Sequence, residues 1–270
     1  MNRKTFVDTL NQFAAHGYSR WNVFDDFITV AAISIANNSD PYCIANTKAT
    51  IDEREQRYLN IIKKYNPQCQ QLFPTMFAAI VEEMQTYAPD HMHDVLGELF
   101  HEFDFQDDWK GQFFTPQDVC DAMGILNLDS RAVKAAIDDK GFVTLNEPCC
   151  GGGALILGAA NGLTKLGINP CRRMLTIAND LDERCVLMCY IQLSLYGLLA
   201  IVFQQNTLTQ ETLGEPWFTP IYIFDGWTLK SRRAFKQDTT PVEPVKAEPV
   251  KIEFEATRIE PVKPQQLTLF

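Results

Sequence analysis

The chain has 270 residues, of which 46% are hydrophobic and 21% charged. That is enough apolar material to bury a core in one or two domains, and it excludes a wholly disordered chain. A formal charge of −10 at pH 7 excludes nonspecific electrostatic attraction as the basis of any nucleic-acid contact. No run of about 18 apolar residues is present, which excludes a transmembrane helix of the usual kind. The amino terminus MNRKTFVDTLNQF lacks the apolar stretch and cleavage site of a signal peptide, so the expected location is cytoplasmic, with no membrane partner. Eight cysteines in a chain this long are expected to be free thiols.

Residues 1–138 read as a helical region. In WNVFDDFITVAAISIAN, Trp21, Phe24, Ile28, Ala31, Ala32 and Ile35 recur at steps of three and four, the pattern of a buried helical face. IDEREQRYLNIIKKY, CQQLFPTMFAAIVEEMQTY and HDVLGELFHEF behave similarly. His91, His93 and His101 fall within this region, but residues two apart on a helix point to different faces and no cysteine pair has finger-like spacing, so no metal site is expected. Near the end of the region lies GQFFTPQD, residues 111–118. Thr115 is expected to cap a helix there, with Pro116 at its first position and Asp118 in its first turn.

From Gly141 the period changes. GFVTLNE, RRMLTIAN and LAIVFQQN are short β-rich runs separated by the helical patterns GALILGAANGLTKLG and ERCVLMCYIQLSLYGL, and TPIYIF is a fourth such run. Strands alternating with helices predict an α/β domain with a four-stranded parallel sheet over residues 139–236. Residues 237–264, TTPVEPVKAEPVKIE and its surroundings, are rich in Pro, Glu, Lys and Val and are expected to form a disordered linker. Lys230, Arg232, Arg233 and Lys236 form a basic cluster at its start, read as a solvated boundary.

The first predicted strand runs into Glu147-Pro148-Cys149-Cys150-Gly151-Gly152-Gly153. A glycine turn at the carboxyl end of a parallel strand is where an open α/β sheet binds nucleotide-like ligands. Ile156 occupies the position where a dinucleotide fingerprint needs its third glycine, and Glu147 would repel a pyrophosphate while suiting an ammonium. A nicotinamide dehydrogenase is therefore disfavoured, and S-adenosylmethionine, which carries an ammonium and no phosphate, is the expected cofactor. The second strand ends in Asn179-Asp180-Leu181-Asp182, where a carboxylate can accept from ribose hydroxyls; Asp182 is alternatively the cap of the next helix. The third ends in Gln205-Asn206, where an amide can read an adenine edge.

In this order, GQFFTP, EPCCGGGAL, NDLDERCVLMCYIQLSLYGL and QNTL resemble the N6-adenine DNA methyltransferases, especially the modification subunits of type I restriction systems and their short relatives. The resemblance covers roughly residues 18 to 228. It implies a methyltransferase-like (Rossmann-like) sheet, methyl transfer from S-adenosylmethionine to adenine in DNA, and a possible partner subunit. It places Phe114, Thr115, Glu147, Gly151, Gly153, Asp180 and Asp182 at the cofactor and Asn206 at the substrate adenine. The family's Asn/Asp-Pro-Pro-aromatic motif is missing. Asp225-Gly226-Trp227 stands nearest to its place, which makes Asp225 and Trp227 the candidate catalytic pair, in a degenerate and shortened form. The departure supports a second expectation, a catalytically inactive adaptor. The final residues Gln266, Leu267, Thr268, Leu269 and Phe270, within 265–270, resemble the short peptide by which bacterial polymerases and repair proteins bind the replication sliding clamp. An extended segment with alternate apolar anchors suits a preformed cleft.

Overall fold

The computed structural model describes residues 2–87, 91–103 and 115–227. The GQFF portion of the glycine-aromatic segment with Phe114, the basic cluster, the linker and the terminal peptide with Gln266, Leu267, Leu269 and Phe270 lie outside the described residues. Within them the chain is mixed α/β, mostly helical, with a small and mostly parallel sheet. No helix among the described residues is long and apolar enough to cross a membrane.

The helical region comprises α1 (Asn2–Ala15), α2 (Arg20–Ser39), α3 (Lys48–Ile62), α4 (Pro67–Gln70), α5 (Leu72–Tyr87), α6 (Val95–Glu102), α7 (Gln117–Asn127) and α8 (Ser130–Lys140). Helix α2 is buried beyond the single predicted stripe: Val23, Phe27, Val30 and Ile33 are enclosed along with Phe24, Ile28, Ala31 and Ala32. A helix apolar on most of its circumference must be central. It packs between α1, α3 and the helix α11 of the sheet region (Glu183–Leu195).

The sheet region continues with β1 (Val143–Glu147), α9 (Ala154–Lys165), α10 (Pro170–Arg173), β2 (Met174–Asp180), α11, β3 (Leu199–Asn206), β4 (Glu211–Thr212), β5 (Trp217–Phe218) and α12 (Pro220–Phe224). Strands β1, β2 and β3 are parallel neighbours in that order. The short β4 and β5 both pair antiparallel to β3. The larger hydrophobic core runs from Phe6, Phe24 and Ile80 through Leu96 and Leu99 to Ile156, Val186, Tyr190 and Val202, so the helices and the sheet share an interior; a smaller cluster gathers Leu175, Leu199, Tyr222 and Trp227.

Two local predictions are corrected. TPIYIF is a helix rather than a fourth parallel strand, because Pro220 occupies a first helical position, where its missing N–H costs nothing. Thr219 ends the short β5: its hydroxyl accepts from Ala200 N at 3.0 Å and donates to Leu198 O at 2.8 Å. Thr115 does not cap α7. The helix begins at Gln117 behind Pro116, with no side-chain cap, and the Thr115 carbonyl instead accepts from Cys120 Sγ.

Helices α7 and α9 touch backbone to backbone. A Cβ on Gly124 would lie 2.2 Å from the Gly158 carbonyl oxygen, and one on Gly158 would lie 2.3 Å from that of Cys120. Only glycine permits this approach, and it fixes the helix that follows the glycine turn against the one that follows Thr115-Pro116.

Candidate functional site

The carboxyl ends of β1, β2 and β3 lie side by side, Glu147 registering with Ala178 and Asp180 with Gln204. Each end turns sharply, and the three turns are stitched together. Cys150 N donates to Asn179 O at 2.9 Å. Asn179 Nδ2 donates to Thr207 Oγ1 at 3.2 Å, and that hydroxyl in turn donates to Pro148 O. Gly151 at φ +51° and Gly153 at φ +105° take left-handed conformations, which L side chains rarely adopt. Gly153 stands at the amino cap of α9.

Asp180 is the central side chain. Its Oδ2 accepts from Gly151 N and its Oδ1 from Asp182 N, each at 3.0 Å. The carboxylate thus ties the first turn to the second and opens into a cleft of about 350 Å³, within the range of about 300–1,000 Å³ typical of small-molecule sites. Gly151, Asp180, Leu181, Cys185, Asn206 and Leu208 are among its walls. Among the described residues, its wall holds one carboxylate and no lysine, arginine or histidine. Leu181 is 57% exposed and Leu208 is 93% exposed, two apolar lips of the cleft.

Glu147, Gly153 and Asp182 stand beside the cleft rather than in its wall. Glu147 Oε1 accepts from Cys149 N at 3.2 Å. Partial burial raises its pKa above the usual glutamate value, the Cys149 amide opposes that rise, and the nearby Asp180 charge adds to it. Asp182 fulfils the capping expectation: it accepts from Arg184 N at 3.0 Å and forms a two-point ion pair with the Arg184 guanidinium, which lies over the Trp21 ring. It is therefore a structural neighbour of the site. Asn206 lines the cleft, but its Oδ1 already accepts from Leu208 N at 3.0 Å and Thr209 N at 3.2 Å. With both lone pairs engaged, the side chain offers a ligand its Nδ2 donor, which suits a ring nitrogen rather than an adenine amino group.

The candidate catalytic pair is elsewhere. Trp227 is 5% exposed and packs with Leu175, Leu199 and Tyr222, residues at the amino ends of β2 and β3 and on α12. Its ring meets Phe142 edge to face at 4.7 Å, and its Nε1 donates to Asp225 Oδ2 at 3.0 Å. Parallel strands have both ends of one kind together, so Asp225 and Trp227 sit at the opposite end of the sheet from the cleft. The catalytic expectation is corrected accordingly: Trp227 is a core side chain at the foot of the sheet.

Thr115 lines a second cavity of about 670 Å³, shared with Asp94, Glu98 and Asp118, and does not reach the cleft wall. The two cavities back onto the same glycine turn, since Asp94 lies against Gly152. His91 and His93 engage Asp121 and Glu98 respectively. The sequence reading missed Leu181 and Leu208, whose signal was an apolar residue one and two positions past the ends of β2 and β3 respectively. It also missed Asp94 and Gln192, which hold the turn from behind. A comparison with protein-family models finds none that matches the chain, and a comparison with curated proteins finds no match either.

Proposed function

We propose that the cleft at the strand ends binds S-adenosylmethionine and that the chain is a methyltransferase-like protein acting on DNA, akin to the N6-adenine DNA methyltransferases. The observation that carries this reading is the Asp180 carboxylate, anchored to the Gly151 amide in a wall that, among the described residues, has no cationic side chain. Such a wall suits ribose hydroxyls and an ammonium and disfavours a phosphate. The apolar lips Leu181 and Leu208 suit a flat base. Bound there, the cofactor supplies an electrophilic methyl group; the chain's own part is to hold the ribose at Asp180 and to offer the Asn206 amide to a ring nitrogen.

A second reading, the catalytically inactive adaptor, is favoured by the position of Trp227 at the far end of the sheet. On that reading the protein binds the cofactor and engages a restriction partner or the sliding clamp through its last residues. The segment from Asp238 to Lys263 reaches about 80 Å if extended, long enough to tether the folded part near DNA in place of intrinsic affinity. Incubation with labelled S-adenosylmethionine and mixed-sequence DNA separates the readings. Methyl incorporation supports the enzyme, whereas tight cofactor binding without incorporation supports the adaptor. Removal of Leu269 and Phe270 is expected to end clamp co-purification and leave cofactor affinity unchanged; persistent clamp binding rejects the terminal peptide as the address.

A further inference from the structure

We infer that Asp94 and Gln192 form a positioning pair that holds the glycine turn in its ligand-binding shape, so that the helical region sets the affinity of the cleft. The inference rests on the reading of that turn as part of a ligand site. Neither residue touches the cleft, and both act through Gly152.

Gln192, on α11, is completely buried, and Asp94 is 4% exposed. Both donors of the Gln192 amide and its oxygen are engaged. One Nε2 hydrogen goes to Asp94 Oδ1 at 2.7 Å and the other to Gly152 O at 2.8 Å, while Oε1 accepts from Leu96 N at 3.1 Å. Asp94 Oδ1 also accepts from Gly97 N at 2.8 Å, so the same carboxylate caps α6. Its backbone N donates to Gln117 Oε1 at 3.1 Å, which draws in the start of α7. The adjoining His93 is fixed to the end of α11 by Tyr196, whose hydroxyl accepts from His93 N and donates to His93 O.

Sterics point the same way. A Cβ on Gly152 would come within 3.0 Å of Asp94 Oδ1, and a Cβ on Gly97 would fall within 2.1 Å of Asp94 Oδ2. The stretch Asp94-Val95-Leu96-Gly97 therefore needs its glycine for the carboxylate to turn back on the helix start, and the carboxylate in turn lies tightly against Gly152. A buried amide and a buried carboxyl are costly unless fully bonded. Here Gln192 carries the bond to the Gly152 carbonyl and Asp94 holds Gln192 in place, which adds a tie from the helical region to those that β2 makes with Cys150 and Gly151; the covalent path between the partners is long, 98 residues from Asp94 to Gln192.

The test is amide hydrogen exchange across residues 148–156 in the full chain, with S-adenosylmethionine titration alongside. Gln192→Glu keeps the side-chain volume and replaces both donors by acceptors. It is expected to accelerate exchange in the turn at least tenfold over any change in α5, and to weaken cofactor binding by at least roughly tenfold, since two hydrogen bonds are lost and a second carboxyl is buried against Asp94. Asp94→Ala is expected to do the same. Asp94→Asn still presents an oxygen to Gly97 N and Gln192 Nε2 and is expected to rescue turn protection to within about twofold of wild type. If Asp94→Ala fails to fold, Gly152→Ala probes the same contact from the turn side and is expected to accelerate exchange there. Exchange unchanged in the turn, or raised equally throughout the molecule, overturns the positioning role. If wild type shows no cofactor binding, the ligand reading falls while the exchange result still decides the role of the pair.

Discussion

The Asp180 carboxylate reaches from the end of β2 to the Gly151 amide, 3.0 Å away, and its second oxygen holds Asp182 N at the same distance. Two turns that would otherwise be independent are thereby fixed by one side chain, which also faces the cleft. Asp180→Asn keeps the shape but replaces one acceptor by a donor, so one of the two amides loses its partner. The expected cost is about 1–3 kcal/mol in unfolding free energy, read from urea denaturation.

The contact between α7 and α9 leads to a prediction independent of any ligand. Gly158→Ala places a methyl against the Cys120 carbonyl, a backbone atom that cannot rotate away. Overpacking of this kind costs about 1–3 kcal/mol, which corresponds to a fall of at least about 2 °C in Tm for a chain of this size. An unchanged melting curve means that the two helices are not in contact.

Glu147 supplies a pH dependence. Burial raises its pKa on folding, so its contribution to stability is complete below the unfolded carboxylate value of about 4.3 and is lost as pH rises through the folded value. Glu147→Gln is therefore expected to match wild type near about pH 3 and to be the more stable protein near about pH 7. An ammonium bound beside Glu147 favours its ionised form, so cofactor affinity in wild type should fall on acidification through that window and do so less in Glu147→Gln. Paired denaturation and calorimetric series check both signs.

Trp227 at the foot of the sheet should behave as a core residue. Trp227→Ala is expected to cost about 3–5 kcal/mol, and Asp225→Ala about 0.5–1.5 kcal/mol for the lost hydrogen bond, with cofactor affinity unchanged in the folded fraction of both. If either variant loses affinity without losing stability, the placement of this pair away from the cleft is contradicted.

What could be read from the sequence followed from local pattern. The change of period after Gly141 located β1, β2 and β3, and the residues at their ends, Gly151, Asp180 and Asn206, meet in one cleft because parallel strands bring like ends together. TPIYIF misled because a short run of β-branched and aromatic residues does not distinguish strand from buried helix; Pro220 was the better signal. The reach of Asp225 and Trp227 could not be judged from spacing, since the short β5 pairs antiparallel to β3 and carries the chain back to the amino end of the sheet before α12 begins. Asp94 and Gln192 were invisible for a different reason. Their bond joins residues far apart in sequence, and a polar residue on an apolar helix face carries no local mark of its partner.

The central claim is that the cleft beside Asp180 takes a cationic nucleoside without phosphate. It is tested most directly by titrating wild-type protein and Asp180→Ala with S-adenosylmethionine and with NAD in a calorimeter. Saturable heat with S-adenosylmethionine, absent for Asp180→Ala and absent with NAD, is the predicted result. A silent wild type at high S-adenosylmethionine, or tight NAD binding, would contradict it.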